Sequence, residues 1–190
     1  MEEIRIRDVY LREHIERTLQ ENGKRDSRYK GTSGFSLEEL STITTLTLKG
    51  RSVKDISVLK YCTNLKELSI ISANPKINGG YNVYKKNMHQ IEDFSVIGEL
   101  TNLDDLTIVN DWNLSELDVS NLKNLTSLTL RNNPNLTEIK GLEKTNIAEL
   151  TEYRNGNLKP FDLQSIMNGS LHSLYLDFDM YPLIKKTIQI

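Results

Sequence analysis

The residue types that make and break bonds are few in this chain and poorly spaced for the task. His14, His89 and His172 lack metal-ligand spacing. His89 with Glu92 and Asp93 forms a faint cluster that reads as a solvated loop, and Asp177-Phe178-Asp179 resembles a metal pair only superficially. A phosphate-binding G-x-x-x-x-G-K-[ST] loop, a G-x-S-x-G nucleophile elbow and an H-E-x-x-H zinc helix are all absent. The single cysteine, Cys62, stands where its neighbours in the pattern have leucine, so it reads as a small buried hydrophobe and not as a nucleophile. No catalytic residue, metal or cofactor is therefore expected. The chemistry of recognition is better supplied. Tyr and Arg carry protein interfaces disproportionately, and here Val109, Arg131 and Tyr153 recur at intervals of 22 residues. Asp105, Ser127 and Glu149 recur at the same interval.

A register held at 22 residues needs a repeating scaffold to position it. The pattern L-x-x-L-x-L, with Ile allowed, begins at Ile43, Leu65, Leu103, Leu125, Ile147 and Leu171. These starts are 22, 38, 22, 22 and 24 residues apart. Asn64, Asn102, Asn124 and Asn146 each precede the first apolar residue. Between the strands a second apolar series recurs: Ile56, Leu59, Cys62 and Leu65 match Phe94, Ile97, Leu100 and Leu103 in spacing. Leu114, Leu117, Val119 and Leu122, then Leu136, Ile139 and Leu142, continue it. Each unit thus reads as a short strand, a turn, a loosely wound return and another turn. A unit so small cannot bury its own apolar face and must stack on its neighbours. The expected fold is an α/β leucine-rich repeat solenoid, a short horseshoe of about six repeats with a parallel β-sheet on its concave face.

The ends of such an array need covers. Residues 1–40 read as a helical cap. Asp8 caps a helix from about Val9 to Gln20 with Leu11, Ile15 and Leu19 on one face, Asn22-Gly23 ends it, and Ser36-x-x-Glu39 is a capping box for a second, short helix. Residues 41–177 hold the repeats. Residues 178–190 read as a brief C-terminal cap in which Leu183-Ile184 and Ile188-Ile190 form a covering strand. The chain has 27 leucines and 18 asparagines at only 37% hydrophobic content, as expected of a thin leucine core with asparagine at its corners.

The run from Asp8 through Leu11, Ile15, Leu19 and Ser36–Leu40 to Ile43-Thr-Thr-Leu46-Thr-Leu48 resembles the N-terminal cap and first repeat of bacterial internalin-like leucine-rich repeat proteins. Asp55–Leu65 continues the likeness, and Asn113–Leu142 (NLSELDVSNLKNLTSLTLRNNPNLTEIKGL) resembles the 22-residue repeat class. The resemblance covers about residues 8–176 outside the insertion. It implies a secreted or surface-anchored protein that binds another protein through its concave face.

On each strand the third, fifth and seventh positions of L-x-x-L-x-L-x alternate with the buried ones and face outward. Three columns result. The first is Thr45, Glu67, Asp105, Ser127, Glu149 and Ser173; the second is Thr47, Ser69, Thr107, Thr129, Thr151 and Tyr175. The third is Lys49, Ile71, Val109, Arg131, Tyr153 and Asp177. The hydroxyls of the middle column read as β-propensity on an open strand. The partner-binding residues expected on this face are Glu67, Ile71, Asp105, Val109, Arg131, Glu149, Tyr153 and Tyr175, including an exposed Ile71–Val109 pair. Six strands about 4.8 Å apart span roughly 24 Å, enough for one side of a modest interface of about 800 Å². The 38-residue repeat carries its excess within residues 72–90, where Tyr81 and Tyr84 are further candidates, since insertions in repeats map to loops that often bind.

Two residues stand outside this scheme. Glu152 occupies a core leucine position, which points to an irregular strand, with Arg154 its nearest candidate partner in sequence. Trp112 is either a packing lid or an exposed anchor. A formal charge of −2 argues against nucleic acid and against a polybasic membrane surface, and no apolar run of about 18 residues spans a bilayer. Met1–Arg5 has no signal-peptide core, so a cytoplasmic location is expected if Met1 is the native start, and a secreted or cell-surface one otherwise. The expectation is a non-enzymatic module, monomeric or weakly dimeric, that binds another protein by the concave face and the 72–90 loop. The alternatives are an intracellular inhibitor or immunity-type protein that blocks one enzyme, and a secreted or surface adhesin.

Overall fold

A computed structural model describes residues 3–26, 34–50, 52–73, 88–159, 163–166 and 170–176. The first helix, Val9–Glu21 (α1), starts where Asp8 Oδ1 accepts the N–H groups of Tyr10 and Leu11, both at 2.9 Å. Its Leu11, Ile15 and Leu19 are fully buried, as their spacing on one helix face requires. Gly23, at φ 66°, follows the C-cap Asn22. The second helix, Leu37–Ser41 (α2), has the expected capping box: Ser36 Oγ accepts the Glu39 N–H at 3.0 Å and Glu39 Oε2 accepts the Ser36 N–H at 2.9 Å. Arg25 ties the two helices, with its guanidinium 3.2 Å from Glu39 Oε1 and 4.3 Å from the centre of the Phe35 ring. Asp8 does double duty, because its Oδ2 also accepts the N–H groups of Lys54 (2.7 Å) and Asp55 (3.2 Å) beyond the first strand.

Among the described residues eight strands follow: Thr45–Lys49 (β1), Glu67–Ile71 (β2), Asp105–Val109 (β3), Glu116–Asp118 (β4), Ser127–Arg131 (β5), Glu138–Lys140 (β6), Glu149–Tyr153 (β7) and Ser173–Tyr175 (β8), with a short helix Leu163–Ile166 (α3) between the last two. Six of them form one parallel sheet in the order β1-β2-β3-β5-β7-β8. Its register pairs Leu46, Leu68, Leu106, Leu128, Leu150 and Leu174 from strand to strand, as the leucine pattern requires. A one-residue slip would turn every leucine outward, and each buried leucine stabilises by about 1.5–3 kcal/mol, so this register is strongly specified. The architecture is mixed α/β around one core, which runs continuously from Ile6 and α1 to Leu158 and Ile166.

The return segments differ among themselves. Ser57–Tyr61 and Ser95–Glu99 are 3-10 helices, as is Leu142–Lys144. β4 and β6 instead form a second, two-stranded parallel sheet that pairs Leu117 with Ile139, where loose winding was expected throughout. For β4 the apolar steps explain the difference. Ile56, Leu59, Cys62 and Leu65 advance by three, the 3-10 repeat, whereas Leu117 and Val119 are two apart, the strand repeat. In contrast β6, whose Leu136, Ile139 and Leu142 advance by three, is a strand through its pairing with β4.

Asparagine closes the corners. The side-chain amides of Asn64, Asn102, Asn124 and Asn146 donate to the backbone carbonyls of Ser41, Thr63, Thr101 and Lys123 at 2.7–3.0 Å, each in the preceding unit. The leucine pattern thus stacks the units, and the asparagine before each strand bonds a carbonyl that no ladder satisfies. No helix among the described residues is long and apolar enough to cross a membrane. Tyr81, Tyr84, Asp177 and the segment 178–190 lie outside the described residues.

Candidate protein-binding face

Strand register assembles the outward residues into continuous lines. Lys49 pairs with Ile71, Ile71 with Val109, Val109 with Arg131, and Arg131 with Tyr153. In the first column Glu67 pairs with Asp105, Asp105 with Ser127, and Ser127 with Glu149. Glu67, Arg131, Glu149 and Tyr175 are exposed, whereas Asp105 and Tyr153 are half-buried. Ile71 and Val109 are also half-buried, which corrects the expectation of an exposed pair. Both sit within the sheet, where neighbouring strands on either side cover part of each side chain.

The face is chemically uneven. At its N-terminal edge a cleft of about 530 Å³ lies between α1 and β1, lined by Arg17 and Lys49 together with Thr44, Thr45, Thr47 and Glu21. Next come the adjacent carboxylates of Glu67 and Asp105. Each lies near one hydroxyl, Glu67 at 3.4 Å from Thr45 Oγ1 and Asp105 at 3.4 Å from Thr107 Oγ1. At the C-terminal end the rings of Tyr153 and Tyr175 meet at 6.0 Å between centroids with a 52° tilt. Arg154 lies over the Tyr153 ring at 4.9 Å, within cation–π range. Arg154 adopts φ 57°, a left-handed conformation that takes it off the strand path and over the ring. Sequence reasoning placed Arg154 only as a candidate partner for Glu152. Its place in the Asn110, Asn132, Arg154 series, spaced by 22 residues with φ 60°, 54° and 57°, was the available signal.

Several other polar residues sit elsewhere than expected. His89, read as part of a solvated cluster, is 3% exposed. Its Nδ1 accepts the Val53 N–H at 3.3 Å, its Nε2 lies 3.1 Å from the Leu48 carbonyl oxygen, and its backbone N–H donates to Ser72 Oγ at 3.0 Å. It therefore pins the end of the 72–90 insertion to the first unit. Burial pushes its pKa below the ordinary 6.5, which bonds to the Leu48 and Ile71 backbone and the charge of Asp8 partly oppose. The unfolded chain takes up a proton below pH 6.5 that the folded one refuses, so stability falls as pH drops through that value. Proton NMR of the His89 ring should give a titration midpoint below 6.5, and a midpoint at or above 6.5 would contradict burial of the neutral ring.

Glu152 lies in a regular strand in register with Leu130, which corrects the expected irregularity. It is 1% exposed and accepts from Asn155 Nδ2 at 2.8 Å and from the Asn155 N–H at 3.2 Å. Asn155, three residues on, is thus a partner that the sequence pattern does not single out. Cys62 is buried as expected, and burial raises its thiol pKa to about 12, far from the thiolate chemistry of a nucleophile. Trp112 is 44% exposed, and its backbone carbonyl accepts the side-chain amide of Asn135. Leu174, a core leucine by pattern, is 37% exposed, since among the described residues β8 is the last strand of the sheet and has only β7 beside it. Among the described residues no group of three or more His, Cys, Asp or Glu side chains is placed to hold a metal ion.

No protein-family model matches this chain, and no curated protein sequence matches it. Among solved structures it is similar to an internalin (inlF) from Listeria monocytogenes str. 4b F2365, at 21% sequence identity and a TM-score of 0.45. That match covers 90% of this chain and 56% of the internalin, so the chain spans about half the length of that structure.

Proposed function

We propose that this chain is a leucine-rich solenoid of internalin type, with about six repeats of the 22-residue class, that binds a partner protein through the concave face of its six-stranded sheet. The observation that carries this reading is the ridge of Arg131, Tyr153, Arg154 and Tyr175, in which a guanidinium and two rings stack on the open face of the sheet. Aromatic and Arg side chains pre-stacked in this way lose little conformational freedom on binding and bury large areas. Tyr81 and Tyr84 belong to the same proposed surface through the insertion. The double variant Arg131→Ala, Tyr153→Ala is expected to weaken capture of the native partner by at least about 30-fold, the effect of one central interface residue. Its thermal midpoint should stay within a few degrees of the parent protein's, because Arg131 is exposed and the half-buried Tyr153 lies outside the leucine core. Unchanged capture would remove the concave face from the reading.

A second reading, an inhibitor that blocks one enzyme, is favoured by the first column. Glu67 and Asp105 stand directly opposite each other, and like charges so placed destabilise a sheet. A basic groove on a partner would offset that repulsion on binding. The captured partner's activity, with and without this protein, separates the two readings, because a simple binding module leaves it unchanged.

A further inference from the structure

Positions 111, 133 and 155 occupy one station, two residues past the ends of β3, β5 and β7. At two of them an asparagine has a fixed task. Asn133 Nδ2 donates to the Ile108 carbonyl of β3 at 3.0 Å, and Asn155 Nδ2 donates to the Leu130 carbonyl of β5 at 2.9 Å. Each asparagine oxygen accepts the backbone N–H of the station before it, Asp111 N–H onto Asn133 Oδ1 at 2.9 Å and Asn133 N–H onto Asn155 Oδ1 at 2.8 Å. The first station is an aspartate instead. Asp111 is fully buried, and its Oδ1 accepts the N–H groups of Asn113 (2.9 Å) and Leu114 (3.0 Å). Its Oδ2 is buried without a hydrogen-bond partner among the described residues. The step that takes Asn133 to Ile108 and Asn155 to Leu130 takes Asp111, by strand register, to Ile70 of β2.

We propose that in mildly acidic solution Asp111 is held as the neutral acid in the folded protein, and that its O–H serves β2 as the amides of Asn133 and Asn155 serve β3 and β5. Deprotonation then loosens the seam between β2 and β3, where the 72–90 insertion leaves the sheet. A protonated carboxyl can donate to a carbonyl, whereas a carboxylate can only accept and would set a buried charge against an oxygen. Burial raises the Asp111 pKa to about 6, against two backbone N–H bonds that lower it. The groups that face it are neutral. They are the amides of Asn113, Leu114 and Asn133 and, at the same seam, Ser72 and Asn110, which bond each other and β3. Among the described residues no charged side chain shifts its proton, and the charge that acts on nearby His89 is that of Asp8.

The folded state keeps a proton between pH 3.8 and about 6 that the unfolded chain releases. The stability contributed by Asp111 is therefore present at acid pH and lost as pH rises through about 6, opposite in sign to His89. Urea unfolding of the parent protein and of Asp111→Asn at pH 5 and pH 8 tests this. At pH 8 the variant's folding equilibrium constant should exceed the parent's by about 100-fold, ten for each unit of the raised pKa, and the gap should narrow markedly at pH 5. Parallel profiles, or a variant less stable than the parent at pH 8, would overturn the proposal. Carbon NMR of the Asp111 carboxyl in the unaltered protein reads the proton directly and does not depend on the variant folding. A midpoint near 6 supports the proposal, and one below about 4.5 overturns it.

Discussion

Gly141→Ala is expected to lower the free energy of unfolding by about 2–5 kcal/mol, the sum of a left-handed backbone penalty and an overpacked contact. Gly141 sits at φ 75°, directly after β6. A Cβ there would overlap both the backbone and the side chain of Ser120, which follows β4. The contact lies where the units carrying β4 and β6 stack, so an added methyl has to push the two units apart. Gly50 is the control. It has nearly the same φ, 72°, but nothing lies within 4 Å of the point a Cβ would occupy there. Gly50→Ala should therefore lose only the backbone part, about 1–2 kcal/mol. Urea unfolding of both variants isolates the stacking contact as the difference between them, and equal losses would show that close approach is not what requires glycine at 141.

Asn155→Ala is expected to cost about 3 kcal/mol or more, because three buried groups lose a bond at once. The Asn133 N–H and the Leu130 carbonyl lose the bonds that join the units, at 2.8 and 2.9 Å. The Glu152 carboxylate, 1% exposed, loses its 2.8 Å bond to Nδ2. Each buried group left without a partner costs about 1–3 kcal/mol. Glu152→Leu restores the leucine that β5 carries at the same register position and should be milder, since Asn155 keeps its bonds to Leu130 and Asn133. In the Glu152→Leu background the loss from Asn155→Ala should shrink by about 1 kcal/mol or more, as residues of one network are not additive. Additive losses in the four-member cycle would mean that Asn155 acts on the backbone alone and does not hold the Glu152 side chain.

Much of the fold is legible in the residues. The apolar triplet Ile43-Leu46-Leu48 and its later copies set strand position, strand order and register together, since only stacking in sequence buries so narrow a stripe. Asp8 and the Ser36–Glu39 box mark both N-terminal helices for the same local reason: a helix end must satisfy its own N–H groups within a few residues. The step of two from Leu117 to Val119 also signals β4, although the general pattern of return segments hides it. The outward lines of Ile71, Val109, Arg131 and Tyr153, and of Glu67, Asp105 and Glu149, follow from the same register.

The polar interior is different. His89, Asp111 and Glu152 each look like surface or misfit residues along the chain, and each is buried with defined hydrogen bonds, His89 to a neighbouring unit and Asp111 and Glu152 to the turn that follows each of them. The ridge of Arg154 on Tyr153 depends likewise on a left-handed turn after β7. Apolar periodicity speaks for itself because burial is non-directional and needs only the right spacing. A hydrogen bond needs a particular atom at about 3 Å with the right direction, and for these residues that atom belongs to a unit 22 or more positions away or to a turn whose conformation the stacked units impose. Leucine spacing therefore determines the scaffold and the lines on its face, while only the packed units decide which polar groups are satisfied, which proton is retained, and where cations meet rings.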